Sequence, residues 1–349
     1  MKIHLKFLLK AFIFLLVLGT VLTIFFQVIT PKFLYSNSNW PTTSTFVGFY
    51  QMQEDSIDVL FLGSSHAASA FIPQELYNNY GIKSYNLSSE QQNLVVSYYW
   101  LKEALRFQEP KVVVLDCYLV FPFFPNNPLN TDENFTRKSF DFMKWSSVKK
   151  EAVETVCYYD ESQSLVSYYL PNIRYHDRWA ELTSDDFLLI DMAEHCELKG
   201  YAPLYSRRGT SDNFSFSEDT AVEGVPMFPL MQDYLEKICV LCEENDITLI
   251  LVETPTSYVE ADKYNTLSVY AKDHGIPYID FNLNSMYQET DYDISFDNCD
   301  DVHANLWGAQ KITNYVGRLI QERYLPESAY DMQWEDTKVY YENIITEHE

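Results

Sequence analysis

Positive charge is scarce in this 349-residue chain: 25 Lys and Arg stand against 50 Asp and Glu, a net charge of −25. That argues against a nucleic-acid partner, because phosphate contacts need clustered Lys and Arg. Metal-binding spacing is also lacking. The six cysteines are Cys117, Cys157, Cys196, Cys239, Cys242 and Cys299. Cys239 and Cys242 form a CxxC, but it sits inside an apparent helix, Met231–Glu244, and no second CxxC completes a zinc site. No metal and no cofactor are expected. There is no internal repeat, and only one long apolar run. That run, Ala11–Ile29, holds nineteen residues without a charge and follows Lys2, Lys6 and Lys10. Its exit, Gln27-Val28-Ile29-Thr30-Pro31, lacks a small-x-small cleavage site and a lipid-accepting cysteine.

What is present then sets the organisation. At about 1.5 Å per residue the apolar run comes close to crossing roughly 30 Å of hydrocarbon. Residues 1–31 therefore read as an uncleaved transmembrane anchor. The flanking lysines put the N-terminus in the cytoplasm and the body outside the cell. An extracellular body permits disulfides, whose pairing cannot be read from spacing. With 47% hydrophobic and 16% aromatic residues the body is folded. Residues 32–53 read as a connector, 54–330 as the main domain, and 331–349 as an acidic tail, either solvated or forming one helix over Trp334–Ile345.

Within the domain, short apolar runs read as strands: Ile57–Leu62, Ile82–Leu87, Lys111–Leu115, Ile247–Val252 and Ile276–Phe281. Helical patterns separate them at Pro73–Tyr80, Leu94–Phe107, Met231–Glu244 and near Tyr258–His274, and Asn305–Tyr324 closes the series. Buried strands alternating with helices predict an α/β fold, with a parallel sheet of about five strands covered on both faces. Between the third and fourth strands, residues 121–225 are rich in aromatics and Pro-Asn loops and have few clean strands. A structureless loop of that length is improbable, so a mostly helical insertion, forming a lid or subdomain, is expected.

Two short stretches carry chemistry. The first strand ends in Gly63-Ser64-Ser65-His66, and after the fifth strand the chain reads Asp300-x-x-His303. Sites in open parallel sheets lie at the carboxyl ends of the strands, so both stretches belong to one edge. A serine hydroxyl becomes a nucleophile when a base takes its proton. Imidazole suits that task near neutral pH, and a carboxylate on its other nitrogen fixes the tautomer. The constellation Ser65, His303, Asp300 is thus one for acyl transfer.

On these residues the chain resembles the SGNH (GDSL-like) hydrolase superfamily over roughly residues 56–119 and 231–324. The first block, Gly-Asp-Ser-x, matches Gly63 to His66 with Ser65 as nucleophile, and the last, Asp-x-x-His, matches Asp300 and His303. The resemblance implies a flavodoxin-like three-layer α/β/α fold. The Gly-Ser-Ser start, the N-terminal anchor and the large insertion look closer to membrane-anchored envelope members of the DltD and AlgJ/AlgX type. Those relatives imply an esterase or O-acetyltransferase acting on a cell-envelope glycan or acylated polymer, often beside a membrane-bound O-acyltransferase. A non-catalytic accessory partner of such an acyltransferase is the alternative. Two departures stand out. Where the second block usually has a glycine, this chain has Ser88, whose N–H is expected to join that of Ser65 in binding the oxyanion. Where the third block usually reads Gly-x-Asn-Asp, it has Asp116-Cys117-Tyr118.

Other polar residues have two readings each. His66 either hydrogen-bonds substrate or simply starts a helix. In Arg174-Tyr175-His176-Asp177-Arg178-Trp179, Arg174 and His176 either bind an anionic or sugar substrate or belong to an ion-paired helix start. Glu253-Thr254-Pro255-Thr256 either lines the pocket or makes a plain turn after the fourth strand.

Overall fold

The computed structural model describes residues 2–30, 42–187, 196–208, 215–258, 260–325 and 331–348. Five strands, β1 (Val59–Leu62), β2 (Ser84–Asn86), β3 (Val112–Asp116), β4 (Thr248–Glu253) and β5 (Tyr278–Asp280), form one sheet in the order β2-β1-β3-β4-β5. Every pairing is parallel. The expected α/β architecture is the observed one. The strands read as unbroken apolar runs because both faces are covered. Leu60, Leu62, Val113, Leu115, Leu249 and Leu251 pack on one face, against a core shared with the helices Leu94–Ala104 and Pro229–Glu244. Val59, Phe61, Val112, Val114, Ile250 and Val252 pack on the other, against the helices Pro73–Tyr80 and Leu306–Arg323.

The strand order places the site. From β1 the chain moves outward to β2, then returns past β1 to β3 and continues the other way. The loops leaving β1 and β3 therefore diverge, and a crevice opens between them at their carboxyl ends. Ser65 follows β1 and Asp116 ends β3.

Three segments differ in detail from the sequence reading. Part of the expected connector, residues 32–41, lies outside the described residues, but Thr42–Phe49 is a helix belonging to the core. Its Phe46 stacks on Trp100 at 4.4 Å between ring centroids, and Phe49 meets Tyr85 edge-on. The C-terminal residues form a helix, Met332–His348, docked through the buried Trp334 and Tyr341. Trp334 stacks on Tyr77, and its carbonyl accepts a hydrogen bond from Gln74. The region between β3 and β4 contributes the helices Glu133–Phe140, Ser147–Tyr159 and Leu165–Tyr169, then one-turn 3-10 segments and extended chain. It wraps both layers: Phe140, Val153 and Tyr168 join one core, and Leu198, Tyr201 and Phe216 the other.

At the N-terminus Lys2–Ile29 is one helix. Its stretch Lys6–Ile29 is long and apolar enough to cross a membrane. Cys239 and Cys242 lie on one helix as unpaired thiols. Burial pushes the Cys242 thiol up to about 12.

Candidate active site

The geometry begins where β1 and β3 touch. Gly63 leaves β1 with φ +150°, and a Cβ there would lie 2.4 Å from Asp116 Cβ. Only glycine allows that approach and that backbone conformation. Ser64 follows in extended conformation and caps the short helix Ser65–Ala70, its Oγ accepting from His66 N at 3.2 Å. Asp116 holds this turn. Its Oδ2 accepts from Ser64 N at 2.9 Å and from Ser64 Oγ at 2.6 Å, and its Oδ1 accepts from Tyr118 N at 3.1 Å. A carboxylate that takes the turn's N–H groups fixes the direction in which the next residue, Ser65, presents its hydroxyl.

The partner arrives from the far end of the chain. His303 Nε2 lies 2.9 Å from Ser65 Oγ across a sequence separation of 238. His303 Nδ1 lies 2.8 and 3.0 Å from the two oxygens of Asp300. Asp300 also accepts from the backbone N–H groups of Val302 and His303, at 2.9 and 2.8 Å. Burial works against the Asp300 charge, but the His303 ring and those two N–H groups outweigh it and hold the carboxyl at about 2. The turn is clamped on both sides. Cys299 N donates to His303 O, and Asn305 caps the helix Leu306–Arg323 by accepting from Trp307 N and Gly308 N. Gly308 lets that helix close on the end of the short helix Ile294–Asp297, where a Cβ would meet Asp297 O at 2.2 Å. The structure thus brings Ser65, His303 and Asp300 into one hydrogen-bonded chain.

His66 belongs to the same group in a different way. Its ring stacks on Tyr118 at 3.7 Å, meets the His303 ring edge-on at 5.3 Å, and places Nδ1 3.2 Å from Thr254 Oγ1. Burial, reinforced by the neighbouring His303, pushes its pKa well below the usual histidine value, so the ring is neutral. His66 is a packed wall that limits where the His303 ring can tilt. Ser88 lies beside the β1 exit: the N–H of the next residue, Ser89, donates to Gly63 O at 3.2 Å, and the buried Ser88 Oγ has no hydrogen-bond partner.

Beneath the site, three buried carboxyl groups end successive strands: Asp116 on β3, Glu253 on β4 and Asp280 on β5. Burial raises all three, Asp280 to about 6 and Glu253 well above the ordinary range. At the end of β4, Thr254 touches His66, while Glu253 is buried with Oε1 unpartnered. On the open side, a cavity of about 510 Å³ adjoins Asp300 and is lined by Tyr205, Ser206, Arg208, Cys299 and Asp301.

Arg174 and His176 are held elsewhere. Arg174 lies 3.5 Å from Glu133 and 3.9 Å from Asp141, and His176 Nδ1 is 2.6 Å from Ile173 O. His176 also lines a crevice formed with the end of the N-terminal helix. The acids that pair with Arg174 come from the helix Glu133–Phe140 and its C-cap, more than thirty residues earlier in the chain. Conversely, the sequence reading noted Asp116 only as a missing asparagine. The available signal was an acid closing a wholly apolar strand, at the edge where sites form.

No family model matches the chain, and no curated protein matches it. Among solved structures, the crystal structure of a GDSL-like lipase from Bacteroides thetaiotaomicron is similar, at 11% identity and a TM-score of 0.37, over 80% of this chain and 98% of that one.

Proposed function

We propose that this chain is a serine acyl-transfer enzyme of the SGNH type, tethered by its N-terminal helix, with its body outside the cytoplasm. The observation that carries the reading is the Ser65 Oγ–His303 Nε2 contact of 2.9 Å, with Asp300 on the opposite ring nitrogen. The substrate is an ester on a cell-envelope glycan or a related acylated polymer. Ser65 Oγ attacks the ester carbonyl carbon as His303 Nε2 takes its proton, and Asp300 holds the Nδ1–H and stabilises the imidazolium. The N–H groups of Ser65 and Ser88 receive the oxyanion. The tetrahedral intermediate collapses with cleavage of the bond to the alcohol oxygen, which leaves with the proton from His303. The acyl-Ser65 ester is then attacked by water or by an acceptor sugar hydroxyl, again through His303. Water yields an esterase; a sugar hydroxyl, presented beside a membrane-bound O-acyltransferase, yields an O-acetyltransferase.

The test is covalent labelling with a serine-directed fluorophosphonate. Wild type is expected to label at Ser65, and Ser65→Ala and His303→Ala are expected to lose the label while keeping their fold. A folded wild-type protein that never labels would support the other class of reading, a non-catalytic partner of a membrane acyltransferase. Protease accessibility of the body on intact cells tests the orientation, and digestion only after lysis would overturn it.

A further inference from the structure

A run of large apolar side chains in the insertion stays exposed. Leu170 is 54% exposed, Ile173 46%, Trp179 68% and Phe187 66%. Nearby, the half-exposed Trp145 and Tyr169 stack at 4.7 Å. Scattered apolar residues at a surface are ordinary, but a contiguous patch marks a contact surface. This one is continuous with the N-terminal helix. Phe25, Phe26 and Ile29 of that helix face Leu170 and Ile173 across a crevice of about 370 Å³. The turn Ser184–Phe187 packs on the same helix.

The helix end is also locked by polar contacts. Arg178 Nη1 donates to Ile29 O at 2.9 Å, and its Nη2 pairs with Asp186 at 2.6 Å. Thr30 Oγ1 donates to Asn172 Oδ1 at 3.2 Å. Arg178 of the charged run thereby gains a use: it caps the Ile29 carbonyl at the end of the helix with a cation, as helix C-termini favour.

We infer that residues 165–187 form a second membrane contact, a surface seated in the outer interfacial layer of the bilayer that the N-terminal helix spans. The inference rests on the anchor reading above. The depth follows from helix geometry. The uncharged run ending at Ile29 is close to the roughly 30 Å of the hydrocarbon core, so Ile29 marks its outer boundary. Phe25, four residues earlier, lies about 6 Å deeper. A surface that touches both is therefore at the depth where Trp and Tyr collect. Lipid chains fill the crevice between helix and insertion. Lipid is favoured over a protein occupant because this surface is joined, through Ile29 and Thr30, to a segment whose own surroundings are lipid. Seated on two supports, the body would be held in one orientation to the bilayer.

The test uses the full chain in phosphatidylcholine vesicles, with a photoreactive benzophenone amino acid at Ile173 or Trp179. Both are exposed enough to be replaced without disturbing the core. Phe14, within the helix, reports the anchor, and Val240, exposed on the helix Pro229–Glu244, reports background. The expected result is lipid adducts at Ile173 and Trp179 several-fold above Val240 and comparable with Phe14. Adducts at Phe14 with Ile173 and Trp179 at the Val240 level would overturn the second contact and leave the anchor standing. Background yield at Phe14 as well would overturn the anchor and the inference with it. In cell membranes, adducts at Ile173 and Trp179 to another polypeptide in place of lipid would also overturn it.

Discussion

If Ser65 is the nucleophile proposed above, replacing Asp116 by Asn separates a residue that positions it from one that merely fills space. The two side chains have nearly the same shape, but the carboxylate has two acceptor oxygens and the amide has one. Asp116 uses both oxygens: Oδ2 receives Ser64 N and Ser64 Oγ, and Oδ1 receives Tyr118 N. In Asp116→Asn the single oxygen serves Ser64 or Tyr118, and the NH2 group then faces a backbone N–H. At least one buried donor loses its acceptor, which costs about 1–3 kcal/mol. Relief of the buried carboxyl, which burial already pushes up, offsets part of that. The expected net loss is about 1–2 kcal/mol, read as a fall of a few degrees in Tm. The effect on reactivity is larger. Ser64 directly precedes Ser65, and a displacement of about 1 Å at a reacting atom can cost about a hundredfold in rate. Fluorophosphonate labelling of Asp116→Asn is therefore expected to slow by about two powers of ten while the protein stays folded. Ser64→Ala is the control. It keeps the Ser64 N–H to Asp116 and loses a helix cap worth about 1 kcal/mol, so it should label faster than Asp116→Asn. An Asp116→Asn protein that labels at the wild-type rate, or one that outperforms Ser64→Ala, would refute the positioning role.

Three further predictions concern the other carboxylates. Asp300→Asn is expected to lower the labelling rate by about two to four powers of ten, because the wrong tautomer of His303 then faces Ser65; a drop below tenfold would count against Asp300 as orienter. Because the Asp300 carboxyl is held at about 2, below its ordinary value, its contribution to stability is present above about pH 4 and is lost as pH falls toward 2. The Tm values of wild type and Asp300→Asn should therefore converge over that window, and a gap that widens there would contradict the assignment. Glu253 has the opposite sign. Its raised pKa means the folded state favours the neutral acid, so its cost grows as pH rises above about 4.3, where the unfolded chain ionises. Glu253→Gln copies the neutral form, and its Tm advantage over wild type is expected to grow from pH 5 to 8; a flat or shrinking difference would show that Glu253 is ionised in the fold.

The parts of this protein legible in its sequence are those whose reason for being is local or periodic. The five strands show as apolar runs because both of their faces are buried, and the ends of β1 and of the Asp300–His303 turn show because each switches abruptly from apolar to polar residues. Ser65 and His303 could be joined on paper, although 238 residues apart, because a parallel sheet sends all its carboxyl ends to one edge. Residues defined by a distant partner were the hardest to read. Arg174 kept two readings, a ligand site or an ion-paired helix start, because Glu133 and Asp141 are invisible from its position in the chain. Asp116 looked like a lost asparagine because the turn it holds lies 52 residues upstream. The helix Thr42–Phe49 read as a connector because its two aromatics, Phe46 and Phe49, enter the core against targets, Trp100 and Tyr85, that come later in the chain. Asp116 ends β3 and Ser64 follows β1, and the two meet at 2.6 Å across neighbouring parallel strands. A reading along the chain sees an acid and a hydroxyl 52 residues apart, whereas in three dimensions they are one interaction that joins two strand ends.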